Sequence, residues 1–279
     1  MPLALSLTGC GSSLPPIPPT PVAAINSSAD ARTLLDACLQ AHGGVAAYSR
    51  LHDVNVRFSS HWAAIGPKLQ PKLSDTGYRQ GSEEWYLAMP HGWTVDQTHR
   101  GPKGVKHVLR VPPDSVVVKY NGSSAPDQDP EVNAAAALVT DAYSMFLFGP
   151  DFFRRRGAKL QRLTATGDVA ARSCDELLAV LQPGFGPAKE DRVILFIDHE
   201  THRLLRMQFT LNALESTQGA EVQVDLSHHQ KLAGVLFPTE FYEHIDRPVN
   251  LDAHRWQLLG FSANRGHNAA SMTPVRPQS

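Results

Sequence analysis

Cysteine is scarce: Cys10, Cys38 and Cys174 are the three in 279 residues, and no C-x-x-C spacing occurs. That argues against a cysteine-based structural zinc site. A membrane-spanning helix needs roughly 20 consecutive apolar residues. The longest candidate here, 134–148, is shorter and carries Asp141. Neither sign of charge is in excess, with 26 Lys+Arg against 27 Asp+Glu and a net charge of -1. No Lys/Arg stripe with interleaved aromatics is present, so nucleic acid is set aside as a partner. There is no G-x-S-x-G elbow and no P-loop; "GPKGVKH" has two glycines but no G-K-[ST] after them. The carboxylates Glu83-Glu84, Glu190-Asp191 and Glu240/Glu243 show no pairing specific to acid–base work, and the last two have opposite parity on a strand. No repeat of a period that would make a solenoid or propeller is found. These absences predict a protein that is not an enzyme and carries no cofactor.

Histidine, by contrast, is plentiful at 13 residues. "HETHR" runs from His199 to Arg203, but a zinc-protease helix needs His where Arg203 stands, and the context is a turn. His199 and His202 could share an ion across that turn, which keeps a metal binder or periplasmic enzyme as a third reading. His228 and His229 are adjacent and point to opposite faces of a strand. The rest read as polar surface on half-solvated strands, and no metal is predicted. Cys38 and Cys174 could pair in an oxidising compartment; two buried free thiols are the preferred reading.

The start of the chain is distinctive. Leu7-Thr8-Gly9-Cys10 resembles the bacterial lipobox, with small residues before a cysteine and an apolar stretch ahead of them. The resemblance implies acylation of Cys10. Several acyl chains at about 0.8 kcal/mol per buried methylene anchor a protein durably. Residues 1–9 then read as a residual signal peptide whose remainder is expected upstream of Met1. Gly11 after the cysteine favours the outer membrane over inner-membrane retention. "SSLPPIPPTP" follows, and residues 10–28 read as the lipidated cysteine plus a proline-rich linker. Its roughly 17 extended residues would reach on the order of 50 Å, a stalk facing the periplasm.

The folded part is expected over 29–265 as one domain, followed by a flexible tail over 266–279. "ADARTLLDACLQAHGG" is a helix with Leu34, Leu35, Cys38 and Leu39 on one face and a Gly-Gly stop. Period-two strands follow: "DVNVRFSSHW", "EEWYLAM", "GWTVDQTHR", "GVKHVLRV" and "SVVVKYNG". A second helix, "DPEVNAAAALVTDAYSMFLFG", ends at Gly149-Pro150. Strands then resume to the end. The pattern predicts an α+β fold with one large curled antiparallel sheet, an incomplete barrel of about 11 strands with helices on its concave face.

That order resembles the LolA/LolB-like fold of bacterial lipoprotein-localisation factors. "LLDACLQAHGG" resembles the opening helix of such lipoproteins. "FIDHETHRLLRMQF" is similar to the family's Asp-x-x-Thr hairpin at Asp198 and Thr201. "LAGVLFPTEFYEH" resembles its Gly-x-x-x-Pro approach to a strand at Gly234 and Pro238, and the last strand ends in Asn264. The resemblance implies a concave apolar sheet face that holds acyl chains, and transport of lipid or lipoprotein in the envelope. The expected lining is Val56, Phe58, Trp85, Leu87, Met207, Phe209, Val222, Val224, Phe241, Trp256 and Leu258. The alternative is a non-catalytic assembly lipoprotein with a filled interior that contacts another envelope protein. "MFLFGPDFFRRRG" places five aromatic and aliphatic residues ahead of Arg154, Arg155 and Arg156. It suits a bilayer surface or a lid; a helix end packed in the core with solvated arginines is preferred.

Overall fold

The computed structural model describes residues 14–25, 27–64, 66–113, 115–124 and 129–272; Cys10 lies outside them. Helix α1 (Ala29–Ala41) leads into α2 (Gly44–Ser49) and strand β1 (Asp53–Trp62). Two short helices, α3 (Gly66–Leu69) and α4 (Pro71–Ser74), precede β2 (Gly81–Met89), β3 (Gly92–Gly101), β4 (Gly104–Val111), β5 (Ser115–Tyr120) and β6 (Ser123–Ser124). Helices α5 (Pro130–Phe148) and α6 (Pro150–Arg156) come next. The chain ends in β7 (Lys159–Val169), β8 (Arg172–Leu181), β9 (Asp191–Asp198), β10 (Leu204–Leu211), β11 (Ala220–Ser227), β12 (Gln230–Leu232), β13 (Val235–Phe237), β14 (Glu240–Arg247) and β15 (Leu251–Ala263).

Thirteen of these strands form one antiparallel sheet in the order β6-β5-β4-β3-β2-β1-β15-β14-β11-β10-β9-β8-β7, and β12-β13 is a separate hairpin. The first and last strands pair at the centre, so the sheet has two arms. One arm meanders outward from β1; the other starts at its far edge and meanders back. Helices α5 and α6 bridge them, α5 against β3, β4 and β5, and α6 against β3 and β8. This is a curled, unclosed half-barrel with its helices inside. More helical pieces and strands form than the periodicity predicts, because short hairpin strands and single helical turns leave little periodic signal.

Helix α5 is the axis of the fold. Asp129 caps it by accepting from the Glu131 N–H, Pro130 occupies its first turn, and Gly149 with Pro150 stops it. From Ala135 onward it is buried nearly all round, as a helix running through a core must be. Thr140 and Ser144 donate to backbone carbonyls one turn back, which satisfies their hydroxyls. Gly186 permits the β8–β9 loop to lie against it: its φ is +53°, and a Cβ there would sit 3.0 Å from Leu138 N. The aromatics of the "MFLFGPDFF" stretch are buried in the main core, so the core-packed reading holds for them.

His42 ends α1 with both ring nitrogens engaged. Nε2 accepts from the Leu204 N–H at 3.1 Å, so the Nδ1–H donates to Leu236 O at 2.7 Å. Burial holds its pKa down to about 4. Asp198 and Thr201 form the expected hairpin staple. Asp198 Oδ1 accepts from both the Thr201 N–H and hydroxyl, and Arg172 pairs with the same carboxylate. Asn264 closes the chain by accepting from His52 N–H and donating to Arg50 O. Asp53 accepts from the backbone N–H groups of Arg265, Gly266 and His267, and Met272 is buried, so residues 266–272 pack onto the domain where a tail was expected.

The proline-rich tract also departs from expectation. Residues 14–25 do not stand off as a stalk; they lie along the convex face. Ile17 and Ile25 are buried with Val169, Leu178, Val180, Ile194 and Phe196. Polar groups fix the strap's line. Ile17 N–H donates to Glu221, Gln208 donates to Pro15 O, Arg192 to Pro18 O and Arg247 to Leu14 O. The strap buries outward-facing residues of β8 and β9 whose inward neighbours pack in the main core, which explains why both strands read as continuous apolar runs. Cys38 lies in the concave core and Cys174 in this convex cluster, so the sheet separates the two free thiols.

Candidate functional site: an apolar cavity under the central helix

The two arms differ in their inward chemistry. On the β2–β5 arm the concave face is polar. Glu84 is fully buried and accepts from Ser82, Tyr86 and Gln97, with burial raising its pKa. Lys106, also buried, pairs with Asp75 at 2.8 Å. On the β9–β15 arm the face is apolar. There a cavity of about 350 Å³ opens between α5 and strands β10, β11, β14 and β15. Leu138, Val139, Ala142, Tyr143 and Phe146 of α5 form its roof, and Phe209, Leu211, Val222 and Ile245 its floor. Leu73 of α4, Thr217 and Val249 line its end.

Trp62, His254 and Tyr143 give one wall its aromatic surface, and an aromatic stack backs it. Trp62 stacks on His254 at 3.8 Å, His254 on Trp256 at 4.7 Å, and Trp256 lies parallel to Phe241 and Tyr143 at 5.0 and 5.3 Å. Arg79 sits at this wall with its guanidinium 5.0 Å from the Trp62 ring centre. It donates to Leu73 O and to the Tyr143 hydroxyl, and its Nε has no partner among the described residues. The His254 ring is buried and neutral, its pKa lowered to about 4 by desolvation. Glu243 is the carboxylate nearest to it, at 3.6 Å from Nδ1. Among the described residues no group of three or more His, Cys, Asp or Glu is placed to hold a metal ion.

The predicted lining residues divide into three sets. Phe209 and Val222 line the cavity. Val56, Phe58, Met207, Val224, Phe241 and Trp256 are buried in the same concave core, and Leu258 packs against it half-buried, but none of these seven borders the void. Trp85 and Leu87 face the other way. Their neighbour Tyr86 pairs with Val54 on the inward side, and Trp85 instead stacks on His267 at 3.9 Å. The sequence misleads here because Trp85 and Leu87 are more apolar than Glu84 and Tyr86, the pair that does point inward. A buried, fully satisfied Glu84 has no periodic signature. The lining residues missed by pattern, Arg79, Tyr143, Ala142 and the Thr217 turn, come from helices and connections.

Among solved structures, the chain is similar to a protein of the DUF1329 family from Desulfovibrio piger. That match has a TM-score of 0.53 and 9% identity, and covers 87% of this chain and 97% of that one. At that identity the likeness is one of fold. Two further structures match over similar lengths at lower scores. A LolA superfamily protein from Nitrosomonas europaea gives a TM-score of 0.44 and 10% identity, covering 84% of this chain and 93% of its own. A domain named for outer-membrane lipoprotein sorting, from Vibrio parahaemolyticus, gives 0.45 and 8%, covering 87% and 97%. No family model matches the sequence, and no curated protein does. These likenesses concern the fold alone.

Proposed function

We propose that this chain is a lipid-anchored protein of the bacterial envelope that holds the acyl part of a lipid or lipoprotein in the cavity under α5, without catalysis. The observation that carries the reading is the cavity itself: about 350 Å³, walled mainly by aliphatic and aromatic side chains inside a curled sheet, with Arg79 and Glu243 as its charged groups. A volume of this size falls at the lower end of the range for small-molecule sites. Arg79 gives it a cationic end suited to the polar group of an amphiphile. The anchor is Cys10, on the outer membrane facing the periplasm. Because the strap is packed from Leu14 onward, three residues separate anchor from domain, a path of four Cα steps. At about 3.5 Å each these steps reach at most about 14 Å, which would hold the domain close to the bilayer. Native mass spectrometry of the full chain, purified from membranes, tests this. The expected result is one bound acyl-bearing molecule, displaced by a fluorescent fatty acid. A ligand-free species with no affinity for the probe, crosslinked to one envelope protein, would replace this reading with an assembly role.

A further inference from the structure

A second concavity lies where the two arms meet over α6, and its chemistry differs from that of the first. Its volume is about 610 Å³. One wall comes from the β2–β3 and β4–β5 turns, with Pro90 and Pro112; the other from the β8–β9 loop, with Pro187. Arg110, Arg155, Arg156 and Lys189 all line it, and among the described residues no Asp or Glu does. Buried acids stand behind the cations, and the neighbouring Glu190 pairs with Arg192 and accepts from Gln182 of the lining. Asp141, buried in α5, holds Arg110 through two hydrogen bonds of 3.2 and 3.1 Å. Asp151, fully buried, holds Arg155 Nε at 2.6 Å, and the same guanidinium donates to Met89 O and lies 5.1 Å from the Trp93 ring centre. Asp191 is engaged by Phe185 N–H, Thr210 and Asn212.

Arg156 is different. It donates to Pro183 O at 2.7 Å and Gly184 O at 3.1 Å, and has no carboxylate partner among the described residues. Burial lowers its pKa and Arg110 adds to the shift, while Asp141 and Asp191 oppose it through space. Lys189 is exposed at the rim and makes no ion pair among the described residues. Two cations pre-set by buried acids and two more without acids of their own therefore face one void. We infer that this cleft binds a phosphate ester, with the phosphate on Arg156 and Lys189 and its carbon body against the proline walls. Planar guanidinium forks and a lysine point charge match phosphate oxygens. The void is far larger than a bare phosphate needs, which calls for a ligand with a body. The site is independent of the acyl cavity: none of the residues lining one lines the other.

The test uses the full chain with Cys10→Ser, so that no anchor contributes. Two probes separate the sources of the phosphate: glycerol phosphate in solution, and vesicles of phosphatidylcholine with or without phosphatidylglycerol. Lys189→Glu and Arg156→Gln should each weaken binding about tenfold, the loss expected for one charge-assisted contact. Raised salt should weaken it further. Thermal melting and fatty-acid binding should stay at the parent level in Lys189→Glu, whose side chain is exposed. Binding of glycerol phosphate identifies a free ester as ligand, and binding of phosphatidylglycerol vesicles alone identifies a membrane headgroup. Failure of the parent chain to bind either probe, or equal binding by Lys189→Glu and Arg156→Gln, overturns the assignment.

Discussion

An acyl chain in the cavity under α5 should show a length limit that can be worked from the structure. A methylene takes up about 30 Å³, close to a water molecule's share of the liquid, and burying one gains about 0.8 kcal/mol. The 350 Å³ void therefore accommodates about ten methylenes, with a gross gain of about 8 kcal/mol before ordering costs. Affinity for straight-chain acids should rise about fourfold per carbon, then level off near ten carbons. Ala142 is buried in the roof, one residue from Tyr143, and Ala142→Phe places six ring carbons in the void. Its plateau should fall to about half the parent length. The assay is displacement of a fluorescent fatty acid by acids of about six to sixteen carbons, with melting curves to confirm folding. Affinity that keeps rising past about sixteen carbons, or an Ala142→Phe profile that matches the parent, would refute the assignment of ligand to this void.

Other expectations follow from the fold. His42, His229 and His254 are buried with pKa values lowered to about 4, so the unfolded chain takes up protons between pH 6.5 and 4 that the folded chain refuses, and stability is lost there. Asp191, raised to about 6 by burial, acts in the opposite direction by binding its proton in the folded state first. Each of the three histidines contributes about 3 kcal/mol of that loss, and the raised Glu84, Glu176 and Asp246 oppose it with Asp191, so the urea midpoint of His254→Phe should fall less than the parent's on going from pH 6.5 to 4; an equal fall would contradict it. His42→Ala leaves Leu204 N–H and Leu236 O without their partner and should cost about 3 kcal/mol in urea unfolding, where a cost near zero would show that water replaces the ring. Ile17→Ala should cost about 2 kcal/mol and speed proteolysis within the strap; unchanged cleavage would mean the strap is not held by that side chain.

Much was legible in the residues alone. Val54, Val56 and Phe58 alternating with Asn55, Arg57 and Ser59 specify a half-buried strand, because successive side chains must point to opposite faces. Asp129-Pro130 and Gly149-Pro150 bracket the central helix by local backbone chemistry. Short turns between strands require antiparallel neighbours, and the curled sheet follows from that. Alternation does not say which face is inside, however. Phe58 pairs with Leu258 while Arg57 pairs with Gly260, so the sheet has a bulge at Leu259. Leu258 and Phe261 consequently pack inward on either side of it, and Leu259 is left 59% exposed. Trp85 and Leu87 were misassigned for the same reason: register with β1 and β3, not their own hydrophobicity, turns them outward.

Only the tertiary structure decided where space and charge collect. The cavity exists because α5 crosses one arm without filling it. The basic cleft exists because curling brings turns from opposite arms together, joining Arg110 and Lys189, 79 positions apart in sequence. Periodicity is a property of neighbours along the chain, whereas a void and a converging set of cations belong to segments that the chain separates and only packing reunites.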